Sequence, residues 1–406
     1  MRPLSEMRAE VLASVGRLDS EIIAYEHAVG RILAEQLVSP ENVPHFENSA
    51  MDGFAVRSAD TSEPGAVLEV LADVPAGQVA EVAVGEGQAI KIMTGAPMPE
   101  GADAVIRIEE TTLQNGKVTI APSVPTGNSV RPAGGDIEAG ETVFPAGTRL
   151  TPVHLGVLAT IGAVKPVVSR LPRVAVMSTG DELQPAETED LAPGMIRDSN
   201  RPMIKAMLAE TGVEVIDLGR ISDDADELRA AMARASVEAD VIVTSGGVSM
   251  GDYDVIKLVL REEADVDFFQ VAMKPGKPFG FGRVGGTPFF GLPGNPVSVL
   301  VSFEQFVRPA LLAMQGASAV LRPRTMGTTG EKFESDSAKE EFVRVAFGGS
   351  GPELEVHQTG GQSSNVLSAA ARADAFAVIP VGVEEVGIGE PVIVELFRAL
   401  ETRPAG

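Results

Sequence analysis

The sequence of 406 residues contains no cysteine. Disulfide bonds, a thiolate nucleophile and cysteine-ligated zinc are therefore excluded. Histidine is scarce as well, because the chain has only four, far apart and without a His-Glu-x-x-His spacing: His27, His45, His154 and His357. This distribution does not favour a histidine-ligated zinc site. A Walker A phosphate-binding loop is also absent.

Aromatic residues and positive charge are the next two deficits. Aromatic residues make up only 4% of the chain and tryptophan is missing, which disfavours stacking on nucleobases. Lysine and arginine number 33 against 57 aspartates and glutamates, so the net charge is −24 at pH 7. Nucleic acids and anionic membranes are bound by basic surfaces. The composition therefore predicts a protein that binds neither.

No segment is predicted to span a membrane or to direct export. The most apolar long stretch, residues 151–168, is interrupted by His154 and Lys165 and falls short of the roughly 20 apolar residues that a span needs. Residues 1–18 lack the continuous apolar core of a signal peptide. With no cysteine and no export signal, a cytoplasmic protein is expected.

The pattern of apolar residues divides the chain into four predicted domains. At roughly 150 residues per domain, the length alone suggests two or three. Residues 1–42 and 146–170 are predicted to form a helical N-terminal and linking domain, residues 43–145 an inserted β-rich domain, residues 171–318 an α/β domain and residues 319–406 a small β-barrel-like domain. Strands and helices alternate between residues 173 and 315, which predicts a three-layer α/β/α domain with a mainly parallel sheet.

Four polar loops follow predicted strand ends in the α/β domain. They comprise residues 178–182, 244–254, 274–278 and 292–296. Ligands bind beyond the carboxyl ends of parallel strands, where glycine and helix N-termini let backbone N–H groups approach an anion. Lys274 and Lys277 add positive charge, and the acids Asp181, Glu182, Asp252 and Asp254 add the oxygen ligands that Mg²⁺ prefers. Any one loop is typical of an ordinary turn, but the four together predict phosphoryl or phosphoanhydride chemistry.

Two further motifs are expected to have no catalytic role. Residues 247–251 match G-x-S-x-G, but glycines precede the serine where a nucleophile elbow turns directly from strand to helix. Residues 280–285 match G-x-G-x-x-G, but they lie between two predicted strands with no helix following, so a hairpin is expected there.

Seven sequence blocks occur in the order typical of one protein family. They are residues 48–56, 91–96, 178–183, 198–200, 245–254, 273–278 and 291–298. On these blocks the chain closely resembles the molybdopterin molybdenumtransferases, which insert molybdenum in the last step of molybdenum cofactor synthesis. It is also similar to the C-terminal domain of gephyrin. The resemblance covers nearly the whole chain.

The resemblance implies four domains and an elongated homodimer in which both protomers build each active site. It implies adenylylated molybdopterin and molybdate as substrates and Mg²⁺ as cofactor. The phosphoanhydride is cleaved as molybdate joins the dithiolene, and AMP is released. The molybdopterin adenylyltransferase is implied as a further protein partner.

The family positions also imply roles for individual residues. Positions with catalytic roles match Asp52, Thr94, Asp136, Glu182, Asp223 and Asp254. The first three belong to the β-rich domain and would face the partner's cleft, whereas Glu182 and Asp254 match acids near the metal. The loops and the resemblance together give the substrate-binding candidates Ser178, Thr179, Gly180, Ser245, Gly246, Gly247, Ser249, Lys274, Lys277, Pro293, Gly294, Asn295, Pro296, Ser298, Arg344 and Ser364.

Three departures from the family pattern affect this interpretation. Gln270 stands where many relatives carry a basic residue, and Phe54 replaces a frequent tyrosine. Residues 245–249 differ from the Thr-Gly-Gly-Thr-Gly loop of the related adenylyltransferases, which favours molybdenum insertion. The alternatives are a molybdopterin adenylyltransferase that uses ATP and a non-catalytic scaffold of the same fold.

Overall fold

The N-terminal segment is less helical than its apolar spacing predicted. The computed structural model describes residues 1–247, 257, 259–260, 264–348 and 354–397. In chain order it begins with helix α1 (Leu4–Ser14), strand β1 (Ser20–Ile22), a 3₁₀ turn (Tyr25–His27) and strand β2 (Leu37–Val38). Residues 20–22 pair antiparallel with residues 167–169, and such distant pairing outweighs the weak local preference for helix. The helix prediction is therefore wrong for residues 15–42.

The inserted region is β-rich, as predicted. Its strands are β3 (Asn48–Ser49), β4 (Gly53–Val56), β5 (Ala66–Val74), β6 (Gln88–Ile92), β7 (Ala104–Arg107), β8 (Thr111–Gln114), β9 (Lys117–Ile120), β10 (Val130–Arg131) and β11 (Thr142–Phe144). Six of them form one mixed sheet in the order β7-β4-β6-β5-β9-β8. Phe54 and Val56 pack into one core and Ala55 into another, because neighbouring strand residues point to opposite faces.

The chain then returns to the N-terminal region through α2 (Pro152–Thr160) and β12 (Val167–Ser169), which pairs with β1. Thr151 is the N-cap residue of α2. Its backbone N–H donates to Nδ1 of His154 at 2.9 Å. This bond satisfies one of the backbone donors that a helix start leaves free.

A six-stranded sheet forms the centre of the molecule. Its region contains β13 (Arg173–Thr179), β14 (Leu183–Gln184), β15 (Ile196–Arg197), α3 (Asn200–Thr211), β16 (Glu214–Ile221), α4 (Ala225–Glu238), β17 (Val241–Ser245), β18 (Asp265–Gln270), β19 (Met273–Lys274), β20 (Pro278–Val284), β21 (Thr287–Leu292), α5 (Pro296–Ser302) and α6 (Arg308–Met314). The strand order is β16-β13-β17-β21-β20-β18. The first four strands are parallel, and β20 is antiparallel to both of its neighbours.

Helices cover both faces of this sheet, which confirms the three-layer prediction. Val174 and Val176 of β13 pack with α1, α3 and α5 in one core. Ala175 and Met177 pack with α4 in the other. The G-x-G-x-x-G segment is the predicted hairpin, because β20 and β21 pair antiparallel across Gly285 and Gly286.

The C-terminal region is a closed five-stranded barrel with one helix. Its elements are β22 (Arg324–Thr329), β23 (Phe333–Glu334), β24 (Glu340–Gly348), β25 (Glu355–Gln358), α7 (Leu367–Arg372), β26 (Ala375–Ile379), β27 (Glu385–Val386) and β28 (Pro391–Leu396). Pairings run β24-β25-β22-β28-β26 and close from β26 back to β24. Strand β19 joins this barrel in parallel with β24, so the barrel is anchored beside the edge of the central sheet.

One helix in the described part of the chain is long and apolar enough to cross a membrane. It runs from Pro296 to Met314, with a π-helical turn (Phe303–Val307) between α5 and α6. Of this segment, 89% is buried inside the protein. It supplies much of one core of the central sheet. Burial of this extent is typical of a core helix.

We expect Gly282→Ala to destabilise the pairing of β18 with β20. A Cβ at this position would lie 2.0 Å from the carbonyl oxygen of Asp265, so the two strands would have to separate. Overpacking of this kind costs about 1–3 kcal/mol. Gly16→Ala is the control, because its Cβ would meet no atom within 4 Å. Urea denaturation followed by circular dichroism compares the variants, and equal midpoints would contradict the prediction.

Candidate active site

The loops that follow the parallel strands meet at one edge of the central sheet. Ser245 is paired with Ser178 on one side and with Leu292 on the other. The N–H of Gly246 donates to the carbonyl of Leu292 at 3.1 Å, and Asn200 donates from Nδ2 to the carbonyl of Gly294 at 2.7 Å. Since β20 is antiparallel, the lysine loop before it reaches the same edge.

Gly246 allows this close approach. Its φ is +87°, a left-handed conformation that favours glycine. A Cβ there would lie 2.7 Å from the carbonyl oxygen of Thr179. Substitution would therefore push the loop after β17 away from the end of β13.

A cleft of about 990 Å³ opens at this edge, between the central sheet and the barrel. Its lining includes eight of the predicted site residues: Glu182, Lys274, Lys277, Pro293, Gly294, Asn295, Ser298 and Ser364. The barrel side and its connection contribute Lys339, Gln362, Ser363 and Asn365. Asn295 donates from Nδ2 to Oγ of Ser364 at 2.8 Å, and this bond joins the two walls of the cleft.

Three lysines give the cleft positive charge, but they differ in their partners. Lys274 forms an ion pair with Glu341 at 2.9 Å, and Lys339 forms one with Asp336. The ammonium group of Lys277 has no ion-pair or hydrogen-bond partner among the described residues, although its backbone carbonyl accepts from the N–H of Val271 at 2.8 Å. The uncompensated charge in the described cleft wall is therefore that of Lys277, and the N-terminus of the helix beginning at Pro296 adds a partial positive charge.

Glu182 is the carboxylate of the cleft. Its side chain has no hydrogen-bond or ion-pair partner in the described part of the chain, although its backbone carbonyl accepts from the N–H of Ile196 at 2.9 Å. Both of its carboxylate oxygens lie 2.6–2.7 Å from the place that a Cβ on Gly180 would occupy. An unpaired carboxylate in a cleft suits a hard cation such as Mg²⁺. Within the described residues, no group of three or more histidine, aspartate or glutamate side chains is arranged to hold a metal ion.

The hydroxyl candidates at the strand ends lie beneath the cleft surface. Ser178 is fully buried and donates its Oγ–H to Asp198 at 2.6 Å, so this hydroxyl holds the start of α3 in place. Thr179 and Ser245 are buried as well. Gly247 follows in the loop after β17, and Pro296 is the first residue of α5.

Several buried polar atoms around this edge have no hydrogen-bond partner in the described structure. They are Oδ1 of Asn200, Oγ1 of Thr244, Oγ of Ser245, Oγ of Ser302 and Nε of Arg344. Each such atom costs about 1–3 kcal/mol when it stays unsatisfied. Nε of Arg31 and Oγ of Ser335 also lack a partner among the described residues, so such atoms are not confined to this edge.

Arg344 supports the cleft wall from behind. It is 1% exposed, and its Nη2 donates to the carbonyls of Gly361 and Ser363 at 3.2 Å each. Burial lowers the pKa of Arg344 to about 10, although the negative charge of Glu341 opposes this shift. The guanidinium therefore fixes the loop that carries Gln362 and Ser363.

Three predicted catalytic residues lie in the inserted region, away from this cleft's lining. Asp52, Thr94 and Asp136 are all exposed. The Thr94 backbone N–H and hydroxyl both donate to one oxygen of Asp52, each at 2.7 Å. These bonds, the backbone one first, lower the pKa of Asp52 below its ordinary value. Phe54 is buried in the core of the same sheet, so the tyrosine hydroxyl that the resemblance implies for this position would lie in the interior.

Two acids mark the far side of the sheet edge. The N–H of Asp223 donates to Oδ1 of Asp181 at 3.2 Å, which joins the loops after β16 and β13. Neither residue lines the cleft.

Gln270 ends β18, and its carbonyl accepts from the N–H of Arg2 at 2.7 Å.

Part of the predicted site lies outside the described residues. Ser249, which is also the serine of the G-x-S-x-G match, Asp252 and Asp254 belong to this part. Conversely, sequence reasoning missed Lys339, Gln362 and Ser363. Lys339 precedes β24, and Gln362 and Ser363 lie in the loop between β25 and α7. Long-range contacts bring them to the cleft, namely the pairing of β19 with β24 and the hydrogen bond from Asn295 to Ser364.

Comparisons with known proteins match this architecture along the chain. Residues 2–162 match the family described as MoeA N-terminal region (domain I and II), residues 175–313 the probable molybdopterin binding domain, and residues 327–397 the MoeA C-terminal region (domain IV). A molybdopterin molybdenumtransferase of Haemophilus influenzae is 37% identical over 98% of this chain and 100% of its own length. One of Bacillus subtilis is 35% identical over 94% of this chain and 90% of its own.

A solved structure gives the same result. The crystal structure of a molybdopterin biosynthesis MoeA protein from Pyrococcus horikoshii OT3 has a TM-score of 0.87 and 29% sequence identity. The match covers 98% of this chain and 100% of that one. The chain belongs to the molybdopterin molybdenumtransferase (MoeA) family, whose members are enzymes of molybdenum cofactor biosynthesis.

Proposed function

We propose that the cleft binds adenylylated molybdopterin and molybdate and transfers molybdenum to the dithiolene. The phosphoanhydride bond breaks in this reaction and AMP leaves. The observation that carries the proposal is the set of three lysines beside the N-terminus of α5, with Lys277 uncompensated among the described residues. Such a wall suits two anionic substrates.

Charge repulsion is the main obstacle to the reaction. Two unit negative charges 4 Å apart repel by about 4 kcal/mol at the effective dielectric of a protein surface. A charge-assisted hydrogen bond contributes about 1.5–3 kcal/mol. Two or three contacts from Lys277, Lys274 and backbone N–H groups therefore offset the repulsion. Donors of this kind also stabilise the charge that develops on the leaving phosphate.

We also propose that Glu182 is one oxygen ligand of a Mg²⁺ ion. The unpaired carboxylate at the cleft wall supports this assignment. Asp254, the second predicted ligand, lies outside the described residues. When bound, Mg²⁺ would neutralise phosphate charge.

The exposed cluster of Asp52 and Thr94 is proposed to act in a homodimer. These two side chains and Asp136 are exposed and lie outside the lining of their own cleft. We therefore propose that they complete the cleft of the partner protomer. The same proposal includes a cytoplasmic location and the four domain boundaries predicted from the sequence. It also includes a protein contact with the molybdopterin adenylyltransferase.

The reaction is tested by AMP release. Wild-type chain with adenylylated molybdopterin, molybdate and Mg²⁺ should release AMP as molybdenum joins the dithiolene. Lys277→Ala should lower kcat/KM about tenfold or more, because one charge-assisted contact is lost. Glu238→Gln, which breaks an exposed pair with Arg234, should leave the rate unchanged. No AMP release by the wild type would refute the proposal, and AMP transfer from ATP would indicate an adenylyltransferase.

The shared site is tested by mixing two variants of the chain, each of which lacks one side chain of the proposed site. Asp52→Ala removes the inserted-region acid, and Lys277→Ala removes the cleft cation. In a mixed dimer, one of the two shared sites contains neither substitution. Random mixing should therefore restore about a quarter of the wild-type activity, since about half of the dimers are mixed. A mixture as inactive as its components would mean that each site lies within one protomer.

The Asp52 carboxylate has a testable titration. Thr94→Val removes the hydroxyl donor and keeps the backbone donor, so the pKa of Asp52 should rise but stay below its ordinary value. As the pH falls, the Asp52 carboxylate of this variant should therefore begin to take up a proton at a higher pH than in the wild type. Carbon-13 NMR of labelled aspartate measures the shift, with Thr112→Val as the control. An unchanged pKa would show that the hydroxyl bond is absent in solution.

A further inference from the structure

Glu341 is a buried acid beside the cleft that the proposed reaction does not use. It is 3% exposed. One of its carboxylate oxygens accepts Lys274 at 2.9 Å, and the other accepts the backbone N–H of Asp336 at 3.1 Å. Both oxygens therefore have partners, and the carboxylate is held from two sides.

The position of this pair follows from the backbone. Lys274 lies directly opposite Glu341 in the parallel pairing of β19 with β24. Lys274 lines the cleft and also a neighbouring cavity of about 500 Å³, and Glu341 lines the neighbouring cavity. The lysine ammonium thus stands at the wall between the two spaces, with its counter-ion on the barrel side.

A buried carboxylate at an anion-binding lysine has two opposite effects. It fixes the flexible lysine side chain in one orientation, so less entropy is lost when a ligand binds. It also repels an anion that approaches the same ammonium. A second lysine of the cleft, Lys339, is also paired with a carboxylate, that of Asp336, whose side chain is 37% exposed. The backbone N–H of Asp336 donates to Glu341.

We propose that Glu341 is a positioning residue that orients Lys274 and limits how tightly the cleft holds oxyanions. This inference rests on the proposed function. Equal strengthening of substrate and transition-state binding lowers KM without raising kcat. A lysine whose charge is half compensated binds oxyanions strongly enough to bring them together and weakly enough to release them.

Isothermal titration with sodium molybdate tests the proposal. Glu341→Gln keeps the size of the side chain and removes its charge, so molybdate should bind about three- to tenfold more tightly, because the repulsion is removed. In a Lys274→Ala background, the same substitution should change the affinity by less than about twofold. Glu238→Gln removes one carboxylate from the exposed pair with Arg234 and should have no effect, which controls for net charge.

Steady-state kinetics give a second readout that a purely structural role would not move in this direction. Glu341→Gln should lower KM for molybdate by the same factor without raising kcat, and Glu341→Asp, which keeps the charge, should stay within about twofold of the wild type. Weaker binding in Glu341→Gln, or an equal effect with and without Lys274, would overturn the inference. Wild-type chain that binds no molybdate would instead refute the proposed function.

Discussion

The pairing of β19 with β24 is the contact on which the site depends. It places Met273 opposite Glu340 and Lys274 opposite Glu341. Through it the edge of the central sheet and the barrel become two walls of one cleft. The N–H of Val297 adds a second connection by donating to the carbonyl of Ser364 at 3.0 Å. Without these contacts, the sheet edge would be an open surface and the lysines would lie in bulk solvent.

The overall acidity of the chain does not prevent anion binding in this cleft. Charges on an exposed surface are screened beyond about 8 Å at physiological salt, so most of the 57 acids have little effect there. What matters is the local arrangement, in which carboxylates compensate Lys274 and Lys339 and leave Lys277 uncompensated among the described residues. An acidic exterior disfavours nucleic acids and other polyanions, whereas the substrates proposed for the cleft are small anions.

The sequence predicted the central region well because its signals are local. The alternation between residues 173 and 315 is built from such signals: in the structure, the apolar run 174–177 lies in β13, Ser199 precedes α3 and Gly212 ends it, each acting within a few residues. The parallel alternation then requires the polar loops to meet at one edge. The N-terminal segment was misjudged because β1 pairs with a strand more than 140 residues away, and no local pattern reveals that partner.

The difference between local and long-range signals also explains which residues of the candidate site could be predicted from the sequence. Glu182, Lys277 and Asn295 follow strand ends and could be predicted from local pattern. Lys339 and Glu341 could not, because only a long-range pairing brings them to the cleft. Arg344 was matched by resemblance, yet its buried guanidinium acts on a loop of the wall.

Buried polar atoms without partners give the site a physical cost that folding alone does not repay. Thr244 and Ser245 end a fully buried strand of the sheet, and both of their hydroxyls lack a partner among the described residues. Asn200 uses its amide donor on Gly294 and leaves Oδ1 without a partner. Local choices that conflict with stability are concentrated where function requires them. Asn200, Thr244 and Ser245 belong to the sheet edge that also carries Lys274 and Lys277, so the conflict with stability and the positive charge occur in one region of the fold.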